Sequence, residues 1–246
     1  MSIASRPYSR PALAGLLLGV ITLAIALVGG IGSRQGWWHF LQALQWAEWA
    51  AYGAALALVL SVTGLVQARP GARRRGFVLA VLGTLASLPL VFMAVQWEYA
   101  TRAYPPINDI STDTQDAPVF WDMPIATDYP GGKVAEQQRA AYPDLAPLQL
   151  ALAPAQAYEH ALAVVKDQGW AVIAAVPEEG RIEATVQSRL YGFVDEVAIR
   201  VTAEGSGSKI DVRSRSRTGR IDRGVNAKRI RAYLAAVAEH AGPARK

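Results

Sequence analysis

The 246-residue chain contains no cysteine, which excludes disulfides, thiol nucleophiles and cysteine-held metal. Histidine is almost as scarce. His39, His160 and His240 stand far apart, with no second ligand type at zinc spacing. There is no nucleophile elbow, no Ser–His pairing and no phosphate-binding glycine loop, so no motif asks for a cofactor or a metal. Acidic residues are nearly missing from the first 97 positions, where seven arginines accompany a single acid, Glu48. The remainder is close to neutral, so the overall charge of +5 belongs to the N-terminal region. A basic surface for nucleic acid is therefore not expected.

Charge of either sign is absent from three long apolar stretches, 11–33, 49–68 and 76–97. Each has about 20 residues or more, enough at 1.5 Å per residue to cross a hydrocarbon core of roughly 30 Å. The first exceeds a signal-peptide core of about 7–15 residues and lacks a small-x-small cleavage site, so it reads as an uncleaved anchor. No Asp, Glu, Lys, Arg or His interrupts any stretch, which argues against an ion path or proton relay. Gly15 with Gly19, and Gly83 with Ser87, form small-xxx-small pairs suited to packing within a three-helix bundle. Pro89 is expected to kink the third helix.

Orientation follows from the connections. Arg6 and Arg10 precede the first stretch, and Arg69, Arg73, Arg74 and Arg75 separate the second from the third. The connection between the first two has only Arg34, with Trp37, Trp38, Phe40, Trp46 and Trp49 as interfacial aromatics. The positive-inside rule places the N-terminus in the cytoplasm and everything after Trp97 on the outer side of a bacterial inner membrane.

Residues 98–246 read as a soluble α+β domain. Its first part, about 104–152, is rich in Pro, Asp and Ala, with a Gly131–Gly132 pair, and predicts extended, turn-rich chain with a short helix near 133–142. Pro154 opens a helix that Gly169 stops. Four strands with alternating apolar residues follow. Trp170, Val172, Ala174 and Val176 mark the first, and Ile182, Ala184 and Val186 the second. Val197, Ile199 and Val201 mark the third, and Ile210 with Val212 the fourth. Their short connections predict an antiparallel four-stranded meander. Asp222 is placed as the N-cap of a last helix, so two helices flank the sheet.

Within this region lie Pro105-Pro106-Ile107-Asn108-Asp109-Ile110-Ser111-Thr112-Asp113 and Ala117-Pro118-Val119-Phe120. Further on come Gly169-Trp170, Gly192-Phe193-Val194-Asp195-Glu196-Val197 and Arg213-Ser214-Arg215-Ser216-Arg217-Thr218-Gly219. The last set is Asp222, Gly224, Asn226, Arg229 and Ile230. Together they resemble the signatures of the bacterial family known as domain of unknown function 1499, over about residues 104–240. The resemblance implies a module without an assigned biochemical activity.

Charge inside the soluble part is polarised: 98–199 is acidic, and Arg200 onward is basic. Strand parity puts Arg213, Arg215 and Arg217 on one face, opposite Ile210 and Val212, with Arg229 nearby if the last helix returns across that region. Asp195 shares parity with Val197 and Ile199, so it lies on the apolar side and needs an arginine partner. Two functional readings follow. In the first, Asp109, Asp113, Asp195 and Asp222 pair structurally with these arginines, or the row Arg213, Arg215, Arg217 with Asn226 and Arg229 binds an anionic lipid or glycan. The module then serves an envelope protein or ligand without catalysis. In the second, an envelope hydrolase uses Asp109, Asp113 or Asp195 as general acid or base. Ser111–Thr112 reads as a turn, and Trp170 as core.

Overall fold

A computed structural model of the chain describes residues 6–242. The fold separates into two compact units. One holds the helices up to Tyr99 together with Arg189–Gly192, and the other holds the rest.

In the first unit the three apolar stretches form α1 (Arg10–Arg34), α2 (Phe40–Gln67) and α3 (Phe77–Ala103). All three are long and apolar enough to cross a membrane, with mean hydropathies of 2.5, 1.8 and 2.4. Ser9 caps α1, its Oγ accepting from the backbone N–H of Ala12. Two boundaries differ from expectation. Helix α2 starts nine residues before position 49, absorbing Phe40, Trp46 and Trp49, and α3 continues past Trp97 through Glu98 and Arg102. A helix is propagated by its backbone hydrogen bonds, so a charge near one end marks the edge of an apolar stretch without ending the helix.

Small residues set the packing of this unit. A Cβ on Gly15 would lie 2.4 Å from Ser61 Oγ and 2.7 Å from its backbone N, so α1 and α2 touch with no room for a side chain. A Cβ on Gly19 would lie 2.7 Å from Ser87 Oγ, and one on Gly83 2.9 Å from the backbone N of Leu16, which brings α3 onto α1. Buried Thr22 and Ser87 donate their hydroxyls back to their own helix carbonyls, at Leu18 and Gly83. Leu17, Val20, Ile21, Val59, Leu85 and Phe92 point outward.

The second unit is an antiparallel sheet with helices, as expected, but with six strands instead of four. The meander is β3 (Ala171–Val176), β4 (Arg181–Gln187), β5 (Val194–Glu204) and β6 (Gly207–Ser216). Two further strands, β1 (Asp109–Ser111) and β2 (Leu148–Leu150), both pair with β6, giving the order β1-β6-β5-β4-β3 with β2 beside β6 at its other end. Each is three residues long, too short for alternation to show. Ser111–Thr112 is accordingly not a turn. Ser111 ends β1, and Thr112 Oγ donates to Asp211 at 3.1 Å while accepting from the N–H of Val212. Helix α4 (Gly132–Ala141) matches the predicted short helix.

Helices α5 (Pro154–Asp167) and α6 (Val225–Ala241) cover one sheet face, where Tyr158, Val165, Ile182, Ile199, Val212, Ile230 and Tyr233 form the core. Trp170 joins it, stacked on Tyr233 at 5.3 Å. Strand β3 departs from its predicted alternation. A bulge between Val172 and Ala174 shifts the register, and Val172 is exposed on this free edge. The last helix begins three residues beyond Asp222. That residue still serves the helix start, its carboxylate accepting from the N–H groups of Gly224 and Asn226.

Candidate functional site: a charged sheet face and its cavity

Period-two geometry sends Ile182, Ile199, Ile210 and Val212 to the helices and sends their neighbours to the opposite face. That second face is charged yet buried. Across it, strand register sets Arg181 beside Arg200 and Arg200 beside Asp211, then Glu183 beside Ala198 and Ala198 beside Arg213, then Glu196 beside Arg215 and Arg215 beside Asp109. Glu183, Asp211 and Arg213 are fully buried, and Glu196 is 1% exposed. The cover is the segment between β1 and α4, which crosses the face as a strap. Its Phe120 is fully buried beneath two guanidiniums, 4.7 Å from Arg213 and 4.1 Å from Arg215.

Each buried charge of this face has a partner of opposite sign. Arg213 grips Asp109 with two parallel bonds, Nε to Oδ1 at 2.9 Å and Nη2 to Oδ2 at 2.8 Å. Its remaining donors reach the strap carbonyls of Pro118 and Thr127. Arg215 donates from Nε to Glu196 Oε2 at 2.7 Å and otherwise to Thr127 Oγ1 and the Ile125 carbonyl. Glu196 Oε1 accepts from Arg217 Nε at 2.8 Å. Glu183 receives Arg181 and the backbone N–H groups of Trp121 and Asp122. Asp211 takes Arg200 and Lys209, each at 3.1 Å. The strap is therefore held by charge-assisted bonds around a small apolar cluster of Phe120, Met123 and Ala198.

The sequence-derived site residues are divided by this geometry. Asp109, Arg213, Arg215 and Arg217 do converge. Arg229 and Asn226 do not join them, because α6 returns over the other face. There Arg229 donates to Asp195 Oδ2 at 2.5 Å and to Ser214 Oγ at 2.9 Å, supplying the arginine that Asp195 was expected to need. Asn226 is a buried strut, accepting from Ser214 Oγ and donating to the Asn108 carbonyl at 3.0 Å and to Ser216 Oγ. Asp113 has no arginine bond among the described residues. Its Oδ1 closes a turn by accepting from the N–H groups of Gln115 and Asp116, with Lys209 4.0 Å away. Slight burial pushes its pKa up, but those N–H groups and the charges of Lys209 and Arg200 outweigh it and hold the carboxyl below its ordinary value. Asp222 moves the other way: burial raises it, the nearby Asp195 charge adds to this, and its two N–H donors do not fully compensate. Tyr129 of the strap is pushed up to about 12 by burial and by Asp109.

Asp211, which parity also puts on this face, completes it together with Glu183, Glu196, Arg181, Arg200 and Phe120, none of which was assigned to the site from sequence. Parity alone carries a signal for Glu183 and Asp211, since each lies between two inward-facing apolar residues. Among the described residues no three His, Asp or Glu side chains converge as a metal site. His160 and His240, 80 positions apart, do meet, with Nδ1 atoms 2.8 Å from each other.

Where β1 and β6 end, the face opens into a cavity of about 250 Å³. Asn108, Asp109, Glu196, Arg215, Ser216 and Arg217 line it from the strands, and Ile125, Thr127 and Pro130 from the strap. The ring of charges here is three arginines, counting Arg213 just behind Asp109, against two carboxylates. Arg217 is the outermost, with a third of its side chain exposed, and its Nη1 and Nη2 have no partner among the described residues.

No curated protein matches the chain. The residues that build β1, the strap, the meander and most of α6 are those a family profile recognises: over residues 109–237 the chain belongs to the family described as protein of unknown function (DUF1499).

Proposed function

We propose that this protein is a bilayer-anchored, non-catalytic binding or structural module of the bacterial envelope, with its α+β unit on the extracytoplasmic side of the inner membrane. The arginine-rich connection between α2 and α3, against the aromatic-rich one between α1 and α2, supports the orientation. The pairing of the carboxylates supports the non-catalytic reading and is the observation that carries it. A general acid or base must reach a substrate proton, whereas both oxygens of Asp109 are taken by Arg213, and both of Glu196 by Arg215 and Arg217. Asp195 is held by Arg229, and Asp113 is spent on a turn. Groups arranged in this way hold a shape.

Two measurements test the proposal. A reporter fused after Lys246 that works only outside the cytoplasm should be active, and activity of a cytoplasm-only reporter would overturn the orientation. In a deletion strain, Asp113→Asn and Asp195→Asn chains that accumulate normally should restore the envelope phenotype as well as the parent does. Loss of function at normal accumulation would overturn the non-catalytic reading.

A further inference from the structure

We propose that the cavity at the end of β6 binds one phosphate group carried on a small polyol, with Arg217 as the anchoring residue. The inference rests on the non-catalytic reading above and names the ligand class for its site.

The guanidiniums around the cavity are not equivalent. All three guanidinium nitrogens of Arg213 and of Arg215 are engaged by Asp109, Glu196 and the strap, so they contribute chiefly field. Arg217 uses only Nε, on Glu196. That single bond fixes the plane of the guanidinium and leaves its outer edge, Nη1 and Nη2, unpartnered among the described residues. Two parallel N–H groups on one edge match two oxygens of a phosphate, the geometry for which arginine is suited. The charge balance agrees. The lining itself is neutral, Arg215 and Arg217 against Asp109 and Glu196, and Arg213 behind Asp109 adds one positive charge, which suits a single phosphate group and not a larger polyanion.

Volume and lining define the rest of the molecule. A cavity of about 250 Å³ holds roughly eight waters at about 30 Å³ each, the space of a ligand with about ten non-hydrogen atoms. Glycerol phosphate is of that size. The Thr127 and Ser216 hydroxyls and the Asn108 amide suit a polyol, and Ile125 with Pro130 offers a carbon-facing wall. The same chemistry is found free in solution and in the headgroup of an anionic phospholipid. The three helices keep the second source near.

The experiment uses the full chain in nanodiscs, comparing the parent with Arg217→Gln and with Arg73→Gln as a control for general electrostatics. One arm uses phosphatidylcholine discs titrated with glycerol 3-phosphate. The other uses discs of phosphatidylglycerol without added ligand. The readout is protection of the α+β unit from urea-dependent proteolysis. Protection of the parent and of Arg73→Gln in either arm, weakened roughly ten- to hundredfold in apparent affinity or lost in Arg217→Gln, supports the site. The first arm identifies a soluble phosphate ester and the second a lipid headgroup. Equal behaviour of all three proteins in both arms overturns the site. Arg217→Gln stays informative because this exposed side chain should leave the fold intact without ligand. Failure here leaves the non-catalytic reading standing, since that is judged separately by Asp113→Asn and Asp195→Asn.

Discussion

Replacing Arg213 by methionine should be the most damaging single change on the charged face. The side chain is fully buried, and Asp109, to which it gives two bonds, is 5% exposed. The substitution keeps much of the volume but leaves a buried carboxylate without its counter-charge, a situation that costs about 3–5 kcal/mol. It also leaves the Pro118 and Thr127 carbonyls short of a donor and removes a cation from the face of Phe120. A loss of about 4 kcal/mol is a large part of the roughly 5–15 kcal/mol by which domains are stable. With a urea slope of about 2 kcal/mol/M, the unfolding midpoint should fall by about 2 M. Pulse proteolysis of the full chain in detergent across a urea series measures this directly. The companion test adds Asp109→Leu. An apolar pair has no charge to strand, so the double variant should recover to within about 2 kcal/mol of the parent. The reasoning fails if Arg213→Met costs under about 1 kcal/mol, or if the double variant loses the sum of the two single changes.

Asp222→Ala should cost about 1–2 kcal/mol, because two N–H groups at the start of α6 lose their acceptor, whereas Asp222→Asn should stay close to the parent at neutral pH. The pH dependence has a definite sign. Asp222 has a folded-state pKa above its ordinary 3.8, so the folded form takes up the proton first and gains stability as pH falls through that raised value toward 3.8. Parent minus Asp222→Asn stability should therefore rise between pH 7 and pH 4, and a constant difference would refute the assignment. Asp113 should act oppositely. Its lowered pKa contributes stability above 3.8 that disappears at more acidic pH, which an Asp113→Asn comparison reads out. In the helical unit, Gly15→Leu should lower the thermal midpoint in detergent by an amount equivalent to about 1–3 kcal/mol, because its Cβ would meet the Ser61 backbone. Leu17→Ala, on the exposed side of α1, should change it little.

The long-period features of the chain were legible before its structure. A charge-free stretch of some twenty residues specifies a membrane-length helix whatever its neighbours do, and three of them stand here as α1, α2 and α3. Alternation over β4, β5 and β6 is long enough to give both strand identity and face. The arginine row of β6 could thus be oriented by parity alone. Features that depend on distant partners were not legible. Strands β1 and β2 exist because β5 fills one edge of β6 and leaves the other edge for both of them, and three residues carry no periodicity of their own. Arg229 and Asn226 could be assigned to α6 but not to a sheet face, since a returning helix can cover either one. Asp195 and Glu196 illustrate the same limit at single-residue scale. They are adjacent, point to opposite faces, and take different arginines. Phe120 lies in a strap without pattern, and its burial comes from the guanidiniums above it together with Met123 and Ala198.

The strap also has a consequence for biosynthesis. Asp109 and Arg213 are 104 positions apart, and the earlier member leaves the ribosome first. At roughly 5–20 residues per second, the segment that becomes β1 and the strap waits some 5–20 s for its partner strand. A hydrophobic segment in that position would risk aggregation during the wait. This one is rich in Pro and Asp, with its acids still unneutralised, and such a composition stays hydrated and resists strand pairing. Holding the strap mainly with ion pairs, around a small apolar cluster, lets the chain be soluble while incomplete and sealed once β6 has been made.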